Sequence, residues 1–498
     1  MLKDKVFVFA LVIVAVFVFA GVFDPELVSS LSTALHSAII AHFGWAYMLS
    51  GFFFLAFCLV LALSRFGSIK LGKDHEKPEY TYFGWFSMLF AAGMGIGLIF
   101  WGVAEPISHF MAPPEHINSQ TGEAATFAMR YSFFHWGLHP WAIYIVMSLS
   151  IAYFSFRRGM PTLISSCFYP MLGNRIYGSL GYLIDILAVF ATIFGIATSL
   201  GLGAMQINSG LEHLYGLPDS NTATLGIIAV TTLLFMISAI AGLDKGIQLL
   251  SKSNIFLAFL LVVFMLVFGP TSYIFNVFTD TMGGYMGNIL EMSLAVNPFM
   301  GHEWYKSWTL FYWAWWIAWS PFVGIFVARI SRGRTIREFV SGALLVPALL
   351  TFVWFSVFGG ASLYLELEQS AGIGLAVEKN VSTALFMVFE HFPGTVFLSN
   401  AAILLLLVFF VTSADSATFV LGIMTSQGSP DPTLSRKIIW GVTQSSVAAI
   451  LLVSGGLAAL QQMAIAAALP FTFVLLFMCF NLWKGLASES GESLIQRF

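Results

Sequence analysis

Charge is what this sequence has least of. Asp, Glu, Lys and Arg make up 9% of its 498 residues, where a soluble domain carries about 25%. Such a chain cannot cover a globular core with polar side chains, so a soluble protein is excluded. Cysteine is nearly as scarce. Cys58, Cys167 and Cys479 sit far apart, in or beside apolar segments, which excludes a disulfide framework and a cysteine metal cluster. Short alternating segments, the mark of a membrane β-barrel, are missing. So are phosphate-binding loops, nucleophile elbows, zinc spacings and nucleic-acid motifs, which argues against an enzyme of those classes and against a nucleic-acid partner. What fills the chain instead is apolar residues, 58% of the total. They fall in runs of about 20, the length that crosses the hydrocarbon core as a helix.

About twelve such runs can be marked, near 6–23, 43–64, 84–104, 131–155, 181–207, 222–242, 254–277, 309–329, 343–364, 395–423, 437–456 and 461–483. The fold class is therefore all-α, an integral membrane protein. The first run lacks a convincing cleavage site and reads as a retained helix. With the N-terminus placed inside, only Arg130, Lys306 and Lys379 of the 22 basic residues fall outside, so both termini are expected in the cytoplasm. The longest outside segment, 278–308, includes a stretch at 286–304 that could lie as a helix on the membrane surface. No soluble domain is expected, and 486–498 reads as a short cytoplasmic tail.

Three spans are built unusually. Span three contains Gly93, Gly95 and Gly97 at alternate positions, each costing about 1 kcal/mol in a helix interior relative to alanine. Close helix contact explains them as well as a helix broken at mid-membrane, whose freed backbone groups could bind ions or substrate. Span eight carries Ser320-Pro321, and span ten Thr412-Ser413-Ala414-Asp415-Ser416. Hydroxyls beside unwound carbonyls suit a hard cation such as sodium, although membrane Ser and Thr commonly bond back to their own helix. Asp185 and Asp415 are intramembrane carboxylates and so candidate functional groups; Asp185 could equally pair with a basic loop residue. Spans three and eight, and spans five and ten, lie five apart. An odd separation makes each pair run in opposite directions, as two inverted five-helix repeats require.

Trp313, Trp315, Trp316 and Trp319 crowd into seven positions of span eight, too deep for an interfacial belt. Phe311, Trp315, Trp319 and Phe322 share one helical face, and Tyr312, Trp316 and Ser320 its neighbour. Span four offers Trp136, Trp141 and Tyr144, with Pro140 between. These aromatics could simply be packing bulk. Two aromatic faces could also enclose a quaternary ammonium ion, each contact being worth about 0.5–2 kcal/mol once desolvated. A rival reading takes His135 and His139 as haem or metal ligands. It suffers because His109 and His116 are assigned to an outside loop. A channel is the other rival.

The strings GMGIGLIFWGVAEP (93–106), HWGLHPWAIY (135–144), TIFGIATSLGLGAMQI (192–207), GLDKGIQLLS (242–251), YWAWWIAWSPFVGIFVARISRGRTIREF (312–339) and TSADSATFVLG (412–422) resemble those of the betaine/carnitine/choline transporter family. The likeness runs from the first span to the last. It implies a LeuT-like fold of twelve helices. Two helices (1–80) precede a first repeat of spans 3–7 (81–280), a connecting segment (281–308) and a second repeat of spans 8–12 (309–485). It also implies a homotrimer in the bacterial inner membrane that carries onium solutes by alternating access. By the same resemblance Trp136, Trp141, Tyr144, Trp313, Trp315, Trp316 and Trp319 hold the substrate, Trp316 foremost, and Gly93, Gly95 and Gly97 lie beside its carboxylate. A sodium site would join Ala91 and Met94 to Phe409, Thr412 and Ser413. A second would use Thr192 and Phe322, but Ile196 stands where two-sodium members carry a threonine, so one sodium per substrate is expected. Sodium is then the coupling ion and no cofactor is needed. Sodium-independent carnitine exchangers lack the GMGIG pattern, and proton-coupled choline carriers tend to have Asp at the position of Gly97. The resemblance therefore favours sodium-coupled uptake of a zwitterion, glycine betaine or dimethylsulfoniopropionate, with ectoine also compatible.

Overall fold

In the computed structural model, which describes residues 5–93, 95–241, 244–298 and 302–489 (side chains at 90–93, 241, 244–249, 251 and 302 excepted), the described residues form helices and no named strand. Without water in the hydrocarbon layer, every backbone N–H and C=O needs a partner within the protein, and helices supply it segment by segment. The first half comprises α1 (Lys5–Phe23), α2 (Pro25–Leu63), α3 (Tyr82–Gly93), α4 (Ile96–Met111), α5 (Gly122–Trp136), α6 (Leu138–Ala152), the single turn α7 (Tyr169–Leu172), α8 (Ser179–Tyr215), α9 (Asn221–Ala241) and α10 (Asp244–Phe268). The second comprises α11 (Thr271–Leu294), α12 (His302–Ser307), α13 (Thr309–Ile330), α14 (Ile336–Gln369), α15 (Ile373–Lys379), α16 (Ala384–Phe389), α17 (Thr395–Met424) and α18 (Leu434–Glu489).

Among the described residues nine helices are long and apolar enough to cross a membrane, or ten with the bent pair α10–α11. The tally reaches the expected twelve when α3 and α4 count as one broken span and α18 as two helices meeting at a kink at Gly455–Gly456. The core of the bundle is made by α13, which packs against α6, α8 and α18, and by α4, which packs against α5, α8 and α14.

Pro321 lies within its span, and α13 runs continuously through it. Two local expectations change. The connecting helix is longer and earlier than 286–304: α11 turns away from Lys252–Phe268 by 112° and packs on α5 and α14. Among the described residues Asp185 pairs with no basic residue. It accepts from Ser165 N–H at 2.9 Å and Ser165 Oγ at 2.7 Å, so it pins the loop after α6.

The loops at one end of the bundle are clasped together. Residues 69–71 and 333–336 exchange backbone bonds, Leu71 N–H to Arg334 O at 2.8 Å, Gly333 N–H to Leu71 O at 2.8 Å and Ile336 N–H to Ile69 O at 2.9 Å. Arg332 holds Glu76 through two bonds of 2.7 and 2.8 Å, and Arg157 reaches Asp74 at 2.8 Å and Glu489 at 2.6 Å. The bonds from Arg157 and Arg332 hold the carboxyls of Asp74 and Glu76 below the usual carboxylate range. Lowered carboxylates favour the clasp above their ordinary pKa, and that contribution fades as pH falls through the lowered values.

At the α18 kink Gly456 has φ +59°, ψ −138°, a positive-φ conformation essentially confined to glycine, whereas Gly455 lies at φ −176°, ψ 17°, outside the positive-φ range. Such a positive-φ conformation costs a residue with a Cβ about 1–3 kcal/mol. Gly456→Ala should therefore lower the melting temperature in detergent more than Gly455→Ala does. Equal melting points for the two variants would remove the kink from this account.

Candidate functional site

The glycine stretch of span three does break the helix. α3 ends at Gly93, α4 begins at Ile96, and Gly95 between them has φ −136°, ψ −140°, outside helical geometry. Met94 lies outside the described residues. Ala91 and Gly93 belong to the last turn of α3, and nothing is described of the Ala91 side chain. Span four breaks as well, at Gly137 between α5 and α6. That frees the Leu138 N–H, which donates to Tyr285 Oη of α11 at 3.2 Å.

The two breaks let aromatic rings converge. A Cβ on Gly97 would stand 2.5 Å from Trp315 Cη2 and 3.1 Å from Trp136 Cη2, so only glycine admits both indoles against α4. Trp136 packs edge-on against Trp316, ring centroids 4.8 Å apart, and against Trp315 at 6.2 Å. Tyr144 lies 6.2 Å from both Trp316 and Trp319. Trp141 joins through Tyr144 at 5.7 Å. Along α13 the expected face is realised as a ladder, Phe311–Trp315–Trp319–Phe322, with centroids 5.6, 6.4 and 5.8 Å apart. Trp316 Nε1 donates to His135 O at 3.0 Å and Trp315 Nε1 to Gly195 O at 3.3 Å. Trp313 is the exception. It stacks on His139 at 5.3 Å, lies 5.0 Å from Phe134, and its Nε1 faces Gly51 of α2 instead of Trp136 or Trp316.

This cluster is closed to solvent, Trp316 being 2% exposed. Yet Trp141 Nε1, Tyr144 Oη and Trp319 Nε1 are buried without a hydrogen-bond partner among the described residues. A buried donor left unsatisfied costs about 1–3 kcal/mol. The arrangement thus offers π faces to a cation and spare donors to a carboxylate.

On the other side of the break, Gly95 faces span ten. A Cβ there would lie 3.8 Å from Ser413 Oγ and 4.0 Å from Phe409 Cδ1. Thr412 Oγ1 donates to Val408 O at 2.9 Å. The back-bonding expected of a bland hydroxyl is therefore present, but it points the proton into the helix and leaves the lone pairs outward. Thr192 does the same toward Ala188 O at 2.8 Å. Thr198, a possible substitute for the missing threonine at Ile196, bonds to Phe194 O and to Leu460 O of α18 at 3.2 Å, so it faces α18.

Two groups escape the sequence reading. His109 is not on an outside loop: it lies in the last turns of α4, buried. Glu105, also fully buried, accepts from Trp136 Nε1 at 2.7 Å and from Tyr312 Oη, and lies 2.7 Å from His135 Nδ1 and 3.2 Å from His109 Nε2. Ending span three at residue 104 leaves this carboxylate one position outside the membrane. The burial rule for intramembrane carboxylates would have flagged it had the span been drawn to Met111.

Broken helices around a buried cluster of aromatic rings, in a multi-span bundle, are the architecture of a membrane transporter. The chain belongs to the betaine/carnitine/choline transporter family: the family model described as "BCCT, betaine/carnitine/choline family transporter" matches residues 5–491. It is 51% identical to the glycine betaine transporter OpuD of Bacillus subtilis (strain 168) over 491 residues, covering 98% of this chain and 95% of that one. It is 44% identical over 493 residues to an ectoine/hydroxyectoine transporter of Virgibacillus pantothenticus, covering 99% of this chain and 98% of the relative. Glycine betaine transporter 1 of Vibrio parahaemolyticus serotype O3:K6 (strain RIMD 2210633) is 42% identical over 485 residues, with 96% and 92% covered. Bacterial relatives imply the plasma membrane.

Gly97→Ala should push Trp315 and Trp136 off α4, shifting tryptophan emission of the purified protein and abolishing solute uptake. Native emission together with native uptake would mean that the glycine does not set the ring positions.

Proposed function

We propose that this protein imports zwitterionic onium solutes, glycine betaine first and dimethylsulfoniopropionate next, coupled to sodium by alternating access. The observation that carries the reading is the chamber formed by Trp136, Tyr144, Trp315, Trp316 and Trp319 beside Gly97. Edge-on and stacked indoles suit a cation with no N–H to donate, since nothing else in the chamber must accept a hydrogen bond. The spare donors at Trp141, Tyr144 and Trp319 suit the carboxylate end. Relatives named for glycine betaine support this cargo. Ectoine is a second reading, favoured by the relative named for it.

Sodium would sit between the Gly95 break and Phe409, Thr412 and Ser413, a placement supported by Ser413 Oγ and Phe409 lying next to Gly95. Ala91 and Met94 complete that proposal by resemblance. Thr192 and Phe322 would form a second site only with an oxygen that Ile196 lacks, so one sodium per zwitterion is proposed. Two inverted repeats, a homotrimeric assembly and cytoplasmic termini belong to the same reading. The distribution of lysine and arginine supports the orientation.

Uptake of labelled glycine betaine, dimethylsulfoniopropionate, ectoine, choline and carnitine into transport-deficient cells, with and without sodium, tests the whole reading. Accumulation of choline or carnitine alone, or uptake indifferent to sodium, would overturn it. Within that assay Trp316→Ala should abolish or severely weaken uptake while Trp316→Phe, which keeps a π face, retains part of it. Near-native affinity in a folded alanine variant would exclude the chamber as the cation site. Replacing Thr412 and Ser413 together by alanine should raise the sodium concentration for half-maximal uptake at least several-fold. Each co-transported charge is worth about 2.3 kcal/mol per 100 mV, so voltage-clamped proteoliposomes should show one net charge per zwitterion. An unchanged sodium dependence, or a ratio of two, would refute the respective assignment.

A further inference from the structure

The Glu105 carboxylate is the most highly connected buried polar group beside the chamber. One oxygen meets His135 Nδ1 at 2.7 Å and His109 Nε2 at 3.2 Å, and the other accepts from Trp136 Nε1 at 2.7 Å and from Tyr312 Oη. His135 carries the connection onward, its Nε2 lying 2.9 Å from Thr309 Oγ1 and its backbone carbonyl accepting Trp316 Nε1 at 3.0 Å. Tyr312 stacks on His135 at 4.6 Å and lies 5.9 Å from Trp316. Of the two rings that meet at 4.8 Å, Glu105 thus holds Trp136 directly and reaches Trp316 through His135, to whose backbone Trp316 is bonded, and through the stacked Tyr312.

Glu105, His109 and His135 come close enough together to hold a metal ion. However, the atoms that would ligate it are engaged with each other, and the second carboxylate oxygen is taken by an indole and a phenol. The set is better suited to orienting rings than to ligating an ion. A buried carboxylate is expensive in a membrane interior, and here its bonds run to ring N–H and O–H groups rather than to an Arg or Lys. Hydrogen bonds to an anion in a low-dielectric interior polarise their donors. Electron density pushed into the Trp136 indole makes its face a better seat for a cation.

We infer that Glu105 is a positioning residue for the onium chamber: it fixes the Trp136 ring directly and the Trp316 ring through His135 and Tyr312, and so sets affinity for the cationic end of the substrate. The inference rests on the proposed onium function. Glu105→Gln keeps the size but replaces one acceptor oxygen by a donor facing donors. It should raise the KM for glycine betaine at least tenfold while the maximal rate at saturating solute falls far less, and it should weaken direct binding in proteoliposomes by the same factor. Tyr312→Phe removes a single O–H and leaves the packing, so it should shift KM in the same direction by a smaller factor. In the double variant the two effects should not multiply, because both act through one carboxylate. Glu105→Asp, which keeps the charge, should recover part of the affinity.

Wild-type protein that binds no onium solute would refute the proposed function itself. Wild-type binding with an unchanged KM in Tyr312→Phe and in either Glu105 variant would overturn the positioning role while leaving that function standing. A fall in maximal rate alone, with KM unmoved, would mark Glu105 as merely structural. If Glu105→Gln does not fold, an unchanged KM in Tyr312→Phe still decides against the inference.

Discussion

The absence of a side chain at Gly97 is the constraint on which the rest of the site depends. Two indoles from different helices, Trp136 and Trp315, occupy the space that a single methyl group would take. Their approach brings α5 and α13 against α4 immediately after the break at Gly95, so the aromatic chamber and the interrupted helix are one feature. On the far side of the same break, Gly95 opens toward Ser413 and Phe409 of α17. The aromatic cluster and the proposed ion site therefore border the same short piece of irregular backbone, through which the proposed coupling would act.

Irregular backbone inside a membrane must be compensated locally, and the bundle does so with polar side chains from elements remote in sequence. Leu138 N–H, freed at the second break, is met by Tyr285 of the bent helix α11, and the ring of His139, the next residue of α6, by Ser293 at 2.8 Å. The connecting segment between the halves is therefore part of the bundle's hydrogen-bonding, although Phe275, Met286 and Leu290 of α11 stay exposed. Glu105 performs the same service for rings. Its two oxygens gather two histidines, an indole and a phenol that would otherwise be buried donors without acceptors.

At the opposite end the chain is clasped by short-range backbone exchange between residues 69–71 and 333–336 and by the Arg332–Glu76 and Arg157–Asp74–Glu489 ion pairs. These pairs tie segments from both halves of the chain and from the end of α18. The buried aromatic cluster and the clasp occur together in this structure.

Composition alone determined that the chain is an α-helical membrane protein, since 58% hydrophobic and 9% charged residues leave no soluble alternative. Glycine spacing marked span three as either broken or closely packed, and helical periodicity gave the Phe311–Trp315–Trp319–Phe322 face, because both are properties of a local repeat. Tertiary structure decided what local pattern cannot express. It turned Trp313 away toward α2, although that residue is as aromatic and as central as its neighbours; which side of α13 meets which helix is set by packing. It carried α13 straight through Pro321, whose missing N–H costs little where neighbouring helices hold the span in place. And it drew Glu105, His109 and His135 together from α4 and α5. A carboxylate one residue beyond a hydropathy boundary reads as exposed, and only the bundle closing over it makes it the buried anchor of the aromatic rings.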